Sequence, residues 1–257
     1  MAGSNDTLVW SDEFNSGVLD TNVWTPQHNS FGDGNKELHC YTPANVSVEN
    51  GALKLTTKIE TYSCPTGGVR DYTSGMVRSQ GVTFEPGQRV EFRVRQNARD
   101  PEVMSGLFPA VWASSWNGGS WPTGGETDFY EGINRAENDK SFVNTAVHFE
   151  HEDTGKHRHI GKNFEPEDPT AWAVVTFEWG QELLTWTYNG EVTQELRAED
   201  IPAANNPFFE PNSPITQLRV NQAVGGDWVG DPADGAIDAE GNSSFEMDWI
   251  RIYDLAD

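Results

Sequence analysis

The chain is poor in basic residues. Its 257 residues include 17 lysines and arginines against 40 aspartates and glutamates, which gives a formal net charge of −23. A protein of this charge repels phosphate backbones and anionic lipid headgroups, so nucleic acids and charged membranes are excluded as expected partners. Sulfated polysaccharides are disfavoured for the same reason, whereas a neutral polysaccharide meets no such repulsion.

Long apolar segments are also missing. The sequence has no run of about 18 apolar residues, so it predicts no membrane-spanning helix. It has no leader peptide either, and we interpret residues 1–4 as an added start that replaces a removed leader. We therefore expect a secreted protein.

Cysteine is scarce, with Cys40 and Cys64 as the two examples. In an extracellular protein two cysteines typically pair, so a disulfide is favoured over the alternative of two buried thiols.

Helical periodicity is nearly absent, and short alternating segments take its place. In residues 88–95, for example, Val90, Phe92 and Val94 share one face, as in a half-buried strand. Asn50-Gly51 between two such segments is a strong hairpin signal. With no linker, repeat or low-complexity segment, the pattern predicts an all-β fold in one domain over residues 1–257.

The most informative stretch is residues 121–131, which holds three carboxylates within six positions. Side chains alternate along a strand, so Glu126 and Asp128 share a face and Glu131 falls on the other. One extra residue at Phe129-Tyr130, a β-bulge, restores Glu131 to the acidic face. The spacing therefore predicts a bulged strand with a row of three acids.

Three neighbouring acids raise one another's pKa and titrate together. Two carboxyl groups about 5–5.5 Å apart are the arrangement of a retaining glycosidase, with one nucleophile and one acid/base. Gly124-Gly125 and Trp121 favour a sugar site, because glycine permits close approach and an exposed indole offers a stacking surface. An acidic solvent-facing strand and a calcium site are the alternatives.

The segment Trp121-Pro122-x-x-Gly125-Glu126-x-Asp128-x-x-Glu131 resembles the signature of glycoside hydrolase family 16 in its bulged form, above all the laminarinases, which are endo-β-1,3-glucanases. The resemblance extends from about Trp10 to Tyr253. It implies a β-jelly-roll sandwich of two curved antiparallel sheets with an open concave substrate cleft. It also implies that Glu126 is the nucleophile, Glu131 the acid/base and Asp128 the group between them.

The resemblance further implies a set of sugar-binding residues, to which we add Trp121. Many relatives carry arginine directly after Gly75, where this chain has Met76 and, two residues on, Arg78. Structural alternatives exist for several members, such as a loop cap for Asn35 or a core position for Trp112. The expected substrate-binding residues are Asn35, Arg78, Trp112, Trp121, His148 and Trp228.

A structural calcium ion is the other expectation from the family, with no catalytic cofactor. Its ligands by position are Glu13, the Gly51 carbonyl and Asp248, which offer the oxygen atoms that a hard cation prefers. His157-x-His159 hints at zinc, but no cysteine or carboxylate spacing completes a site, so a surface hairpin is expected there.

The expected partner is a neutral β-glucan, attacked by a monomeric endo-acting enzyme that cleaves β-1,3 linkages, with mixed-linkage glucan as a further substrate. A galactan-active enzyme, specific for agar or porphyran, is one alternative. A non-catalytic β-glucan-binding protein is another, although such relatives typically lose the glutamates.

Overall fold

A computed structural model describes residues 6–100, 102–114, 121–135, 140–204, 206–209 and 217–256. Seventeen strands account for most of it: β1 Thr7–Asp12, β2 Trp24–Pro26, β3 His39–Tyr41, β4 Val46–Glu49, β5 Ala52–Cys64, β6 Gly68–Ser74, β7 Met76–Ser79, β8 Gln88–Asn97, β9 Leu107–Ser114, β10 Glu126–Arg135, β11 Lys140–Glu150, β12 His157–Phe164, β13 Ala173–Trp179, β14 Leu183–Tyr188, β15 Glu191–Arg197, β16 Gln217–Val224 and β17 Ser243–Asp254. The helices of the described residues are three short 3₁₀ segments, Asp33–Asn35, Pro43–Asn45 and Ala198–Asp200. None of them is long and apolar enough to cross a membrane.

The strands form two sheets that pack face to face. The seven-stranded sheet has the order β12-β11-β10-β9-β16-β7-β2. The ten-stranded sheet has the order β15-β14-β13-β8-β17-β5-β6-β3, with β1 beside β17 and β4 beside β5. All pairs are antiparallel except β3 with β6, so the expected β-jelly-roll sandwich is confirmed.

Aromatic side chains fill the space between the sheets. Phe129 of the seven-stranded sheet packs against Phe177 of the other sheet, with ring centroids 5.0 Å apart. Phe84 lies edge-on to both rings. Val90, Phe92 and Val94 are buried as their alternation predicted. Because one face of β10 is committed to this core, its other face is left for the acids.

Two local predictions are confirmed. Asn50 and Gly51 have φ values of 55° and 77° and connect Glu49 to its partner Ala52, as a two-residue hairpin turn requires. Cys40 and Cys64 form a disulfide, which ties β3 to the end of β5.

Gly75 separates β6 from β7. β6 belongs to the ten-stranded sheet and β7 to the seven-stranded one. A Cβ atom at Gly75 would lie 2.6 Å from the Asn45 carbonyl oxygen and 3.0 Å from the Leu55 Cα. The chain therefore crosses between the sheets where glycine permits close contact with two other segments.

Candidate active site

The three acids lie on one face of β10, as the predicted bulge requires. Against β11 the register shifts between Asp128 and Glu131, and against β9 it shifts between Asp128 and Tyr130. All three carboxylates line a single cavity of about 410 Å³. It is completed by Phe31, Gly32, Gly34, Asn35, Glu37, Tyr41, Phe108, Ala110, Trp112, Ser114, Trp121 and Asn221.

The bulge follows from two consecutive aromatic residues that both enter the core. Phe129 is fully buried, and Tyr130 stacks on Phe245 with ring centroids 5.6 Å apart while its hydroxyl lies 3.1 Å from the Gln96 amide. Consecutive residues of a regular strand point to opposite faces, so burying both requires an extra residue. Core packing on one side of β10 thus aligns the acids on the other side.

The core also supports the backbone at this point. The Trp186 indole donates a hydrogen bond of 3.1 Å to the carbonyl oxygen of Asp128, next to the disrupted ladder. A buried carbonyl needs such a partner when a bulge interrupts strand pairing. The position of Asp128 is therefore fixed from behind by an indole of the opposite sheet.

Gly125, directly before the acids, has φ 76° and packs closely against a neighbouring loop. A Cβ atom at this position would lie 2.9 Å from the Pro207 side chain and 3.2 Å from that of Phe208. The expected role of this glycine was to permit ligand approach. In the structure its small size lets β10 begin against the loop at residues 206–209.

His148 stands opposite the acids on the neighbouring strand. It is the direct cross-strand partner of Glu126 in the register of β10 and β11. Its Nε2 atom lies 3.0 Å from Asp128 Oδ2 and 3.9 Å from Glu126 Oε1. Burial opposes the charged imidazole, but the two carboxylates outweigh it and raise the pKa of His148.

Both glutamates hold their protons more tightly than free glutamate. Burial, followed by the charge of Asp128, raises the pKa of Glu126 from 4.5 to about 8. Burial, followed by Asp128, Glu126 and Glu37, raises the pKa of Glu131 well above its usual range. Perturbed pairs of this kind are typical of acid/base sites.

Arg219 of β16 brings a second positive charge to the acids. It is 4% exposed, and its Nη1 atom donates a hydrogen bond of 2.5 Å to the Ser114 hydroxyl. Ser114 is the cross-strand partner of Glu126 on β9. Burial lowers the pKa of Arg219 to about 10. The charges of His148 and Arg219, together with a hydrogen bond to Trp121, act to lower the pKa of Glu126.

The predicted sugar contacts fall into two groups. Asn35, Trp112 and Trp121 line the cavity. One face of Trp112 is covered by the Arg219 guanidinium, 4.3 Å from the ring centroid, and Phe31 stacks on the ring at 5.9 Å. Trp121 is 49% exposed and is the better stacking surface for a sugar.

Arg78 and Trp228 lie outside the residues that line the cavity. Arg78 is the cross-strand partner of Arg219, on the same face but one strand further from the acids. Trp228 packs beside Phe108 and Ile133, near the Glu131 end of the acid row. Their roles in sugar binding remain predictions for more distant parts of the cleft.

Sequence reasoning missed several residues of the cavity. Glu37 is 6% exposed and lines the same cavity as the acids. Its charge raises the pKa of Glu131. Its Oε1 atom accepts a hydrogen bond of 3.2 Å from the Asn35 amide. Asn221 accepts one of 2.8 Å from the Trp112 indole. Glu37 follows Asn35 by two residues and Asn221 precedes Trp228 by seven, so nearness in sequence to predicted sugar contacts was the available signal.

The expected calcium ligands lie on the outer face of the ten-stranded sheet. Glu13 accepts two hydrogen bonds of 2.8 Å from Arg251, and Asp248 Oδ2 lies 2.6 Å from Arg93. Both carboxylates therefore have arginine partners. Their oxygen atoms suit calcium in kind, but an ion would compete with these pairs.

Fold and site together define a jelly-roll protein with a carboxylate-lined cleft on its concave face. The family model for glycosyl hydrolases family 16 matches residues 34–251. The chain belongs to glycosyl hydrolase family 16, which confirms the resemblance seen in the sequence.

Individual relatives agree with this assignment. The chain is 29% identical to the Clotting factor G alpha subunit of Tachypleus tridentatus over 96% of this chain and 34% of that protein. It is 28% identical to Glucan endo-1,3-beta-glucosidase A1 of Niallia circulans over 98% of this chain and 38% of that protein. It thus spans little more than a third of these two relatives. The laminarinase catalytic domain from Thermotoga maritima MSB8 matches with a TM-score of 0.81 and 28% identity, covering 99% of this chain and 100% of that one.

The raised pKa of Glu126 makes a testable statement about stability. The pKa of this carboxyl is about 8 in the folded state and 4.5 otherwise, so the group does not destabilise the fold below pH 4.5. Between pH 4.5 and pH 8 it destabilises the fold increasingly, because the folded state disfavours its charged form. Glu126→Gln removes this effect. We expect it to match the wild type in free energy of unfolding near pH 4, and to exceed it by on the order of 2 kcal/mol at pH 8. Urea unfolding at both pH values measures this. Glu167→Gln, at an exposed loop position, is the control, and an equal gain in both variants would contradict the expectation.

His148 should set the lower pH limit of activity through Glu126. Its charge lowers the pKa of Glu126, so His148→Gln should raise that pKa. Glu126 is the nucleophile that the family resemblance implies, and a nucleophile must be deprotonated, so the acidic limb of kcat/KM should move to higher pH, by roughly one unit. His151→Gln on the following turn is a matched control. An unmoved limb in His148→Gln would show that this histidine does not act on Glu126.

Proposed function

We propose that the protein is a retaining endo-β-1,3-glucanase. The observation that carries this proposal is the bulged strand, which brings Glu126 and Glu131 to either side of Asp128 within one cavity. A pair of carboxyl groups flanking the scissile bond is what glycoside hydrolysis with retention requires. The relatives that are named as glucanases support the substrate class.

In the first step, a Glu126 oxygen attacks the anomeric carbon and the glycosidic bond breaks. Glu131 gives its proton to the departing glycosidic oxygen, so the leaving sugar departs neutral. The strongly raised pKa of Glu131 suits this role, because the group is protonated before the reaction. The product is a glycosyl ester of Glu126.

In the second step, the Glu131 carboxylate takes a proton from water as that water attacks the anomeric carbon. The ester bond to Glu126 breaks and its carboxylate is restored. His148 and Arg219 favour the charged form of Glu126, which must exist before attack and reappears after hydrolysis. Asp128 lies between the two glutamates and couples their proton affinities.

A neutral β-1,3-glucan is the proposed substrate, with mixed-linkage glucan as a second one. The charge of −23 favours a neutral polymer over a sulfated one. A galactan is the alternative that Arg78 and Arg219 support, since both lie on the cleft face of β7 and β16. The disulfide fits secretion, because such bonds persist in oxidising compartments.

Product analysis tests the substrate and the mechanism together. Purified protein is incubated with laminarin, lichenan, agarose and porphyran, and released oligosaccharides are separated by size. We expect laminarin to give the dominant products, in a ladder that indicates internal cleavage. Glu126→Gln and Glu131→Gln should each lose at least about 10³-fold in rate on laminarin.

Thermal melting shows whether the two variants remain folded, and Glu167→Gln is the matched acid-to-amide control with normal activity. Products from a galactan alone would overturn the glucan proposal and leave the acid pair in place. Near-normal turnover by Glu126→Gln would reject the nucleophile.

We also propose that calcium binds on the outer face through Glu13, the Gly51 carbonyl and Asp248. Since both carboxylates are paired with arginines, binding is expected to be weak and to stabilise the fold only when calcium is abundant. Melting is compared in calcium chloride and in EDTA. The shift should be a few degrees in the wild type and absent in Glu13→Gln and Asp248→Asn, whereas Glu195→Gln keeps it. A shift that survives in both ligand variants places the ion elsewhere.

A further inference from the structure

The acid row and His148 bring three metal-binding groups together at one point. Suitable ligand atoms of Glu126, Asp128 and His148 all lie within 4.8 Å of one another. His148 Nε2 is 3.0 Å from Asp128 Oδ2 and 3.9 Å from Glu126 Oε1. Ligand atoms about 2.0–2.2 Å from a tetrahedral zinc ion are about 3.3–3.6 Å apart, so small side-chain rotations suffice.

Strand register produces this convergence. His148 is directly opposite Glu126, and Asp128 lies two residues further along the same face of β10. Two carboxylates and one imidazole form a three-ligand set with the remaining position open to the cavity. Sequence spacing could not reveal it, because the ligands come from two strands.

A second histidine supports the imidazole from behind. His157 Nε2 lies 2.8 Å from His148 Nδ1, and the two rings are nearly coplanar, at 4°. His157 in turn packs against Trp121 with ring centroids 4.4 Å apart. When His148 Nδ1 donates its proton to His157, its Nε2 lone pair faces the carboxylates. An outer partner that fixes the tautomer is the usual support of a metal-bound histidine.

The donor set selects the kind of ion. Calcium and magnesium take six or more oxygen ligands, or keep several waters, and gain little from an imidazole. Zinc and copper accept mixed nitrogen and oxygen ligands in small numbers. A divalent cation would also offset the repulsion among Glu126, Asp128 and Glu131. The nearby positive charge of Arg219 opposes the binding of such a cation.

We infer that Glu126, Asp128 and His148 form a binding site for a zinc-class divalent ion, with His157 as the outer partner of His148. An ion there occupies the carboxylate that attacks the sugar. Binding therefore competes with substrate and reversibly inhibits hydrolysis. The inhibition rests on the proposed glucanase function, whereas the binding does not.

Calorimetric titration with zinc chloride tests the binding. Saturating calcium chloride is present, so that the proposed outer-face site is filled. We expect one saturable zinc site in the wild type. Glu126→Gln and His148→Gln should each weaken binding at least about tenfold, because each removes one ligand of three. His157→Phe, which keeps an aromatic ring beside Trp121, should weaken it about 10–100-fold.

His159→Phe is the matched control. His159 lies on the same strand as His157, two residues away, and stacks on His148 at 5.4 Å. The His148 Nδ1 atom is paired with His157 Nε2 and not with His159, so zinc affinity should stay at the wild-type value. Unchanged affinity in both Glu126→Gln and His148→Gln, or no saturable binding in the wild type, would overturn the site.

Activity supplies the second readout. Zinc should raise the apparent KM for laminarin without lowering kcat, and EDTA should restore the rate. A protein that binds zinc at this site but hydrolyses no laminarin would refute the proposed function and leave the site standing. Zinc binding that leaves hydrolysis unaffected would refute the competition between zinc and substrate. It would also refute the proposal that the ion binds the attacking carboxylate, Glu126.

Discussion

The site depends on one packing constraint, the burial of two consecutive aromatic side chains on β10. Phe129 and Tyr130 both enter the core, so the strand must bulge, and the bulge turns Glu131 to the face of Glu126 and Asp128. Three neighbouring acids on one face repel one another and would not be held together by their own interactions. The free energy of the aromatic core holds them in place. Stability and catalytic geometry are thus coupled through the two faces of one strand.

The surroundings then moderate the repulsion that this arrangement creates. In a chain with so few bases, two positive charges act on Glu126, one from His148 and one from Arg219. They arrive from opposite sides, on β11 and β16, and both lower the proton affinity of Glu126. The charges that act on Glu131 are those of Asp128, Glu126 and a further acid, Glu37, and all three raise its pKa. The two glutamates therefore differ in their neighbours, which suits one for attack and the other for proton donation.

Much of this arrangement was predictable from local sequence. The bulge followed from the spacing of three acids, the hairpin from Asn50-Gly51, and the three acids of the row from a signature of eleven residues. Arg219 and Asn221, both on β16, were missed for a physical reason. Their place beside β9 and β10 depends on which strands are neighbours, and β16 joins β9 from about a hundred residues away in sequence. The break at Gly75 was missed because its cause is contact with Asn45 and Leu55 of other segments.

The histidines show the same limit in a sharper form. Along the chain, His157-x-His159 lacked the cysteine or carboxylate that completes a metal site, and the expected hairpin between β11 and β12 is present. In space, that hairpin carries His148 and His157 to the carboxylates of β10. Groups close enough to share protons are also close enough to chelate a cation. The proposed glucanase site and the proposed zinc-class site therefore have one origin, the register of β10 and β11 that sets His148 opposite Glu126.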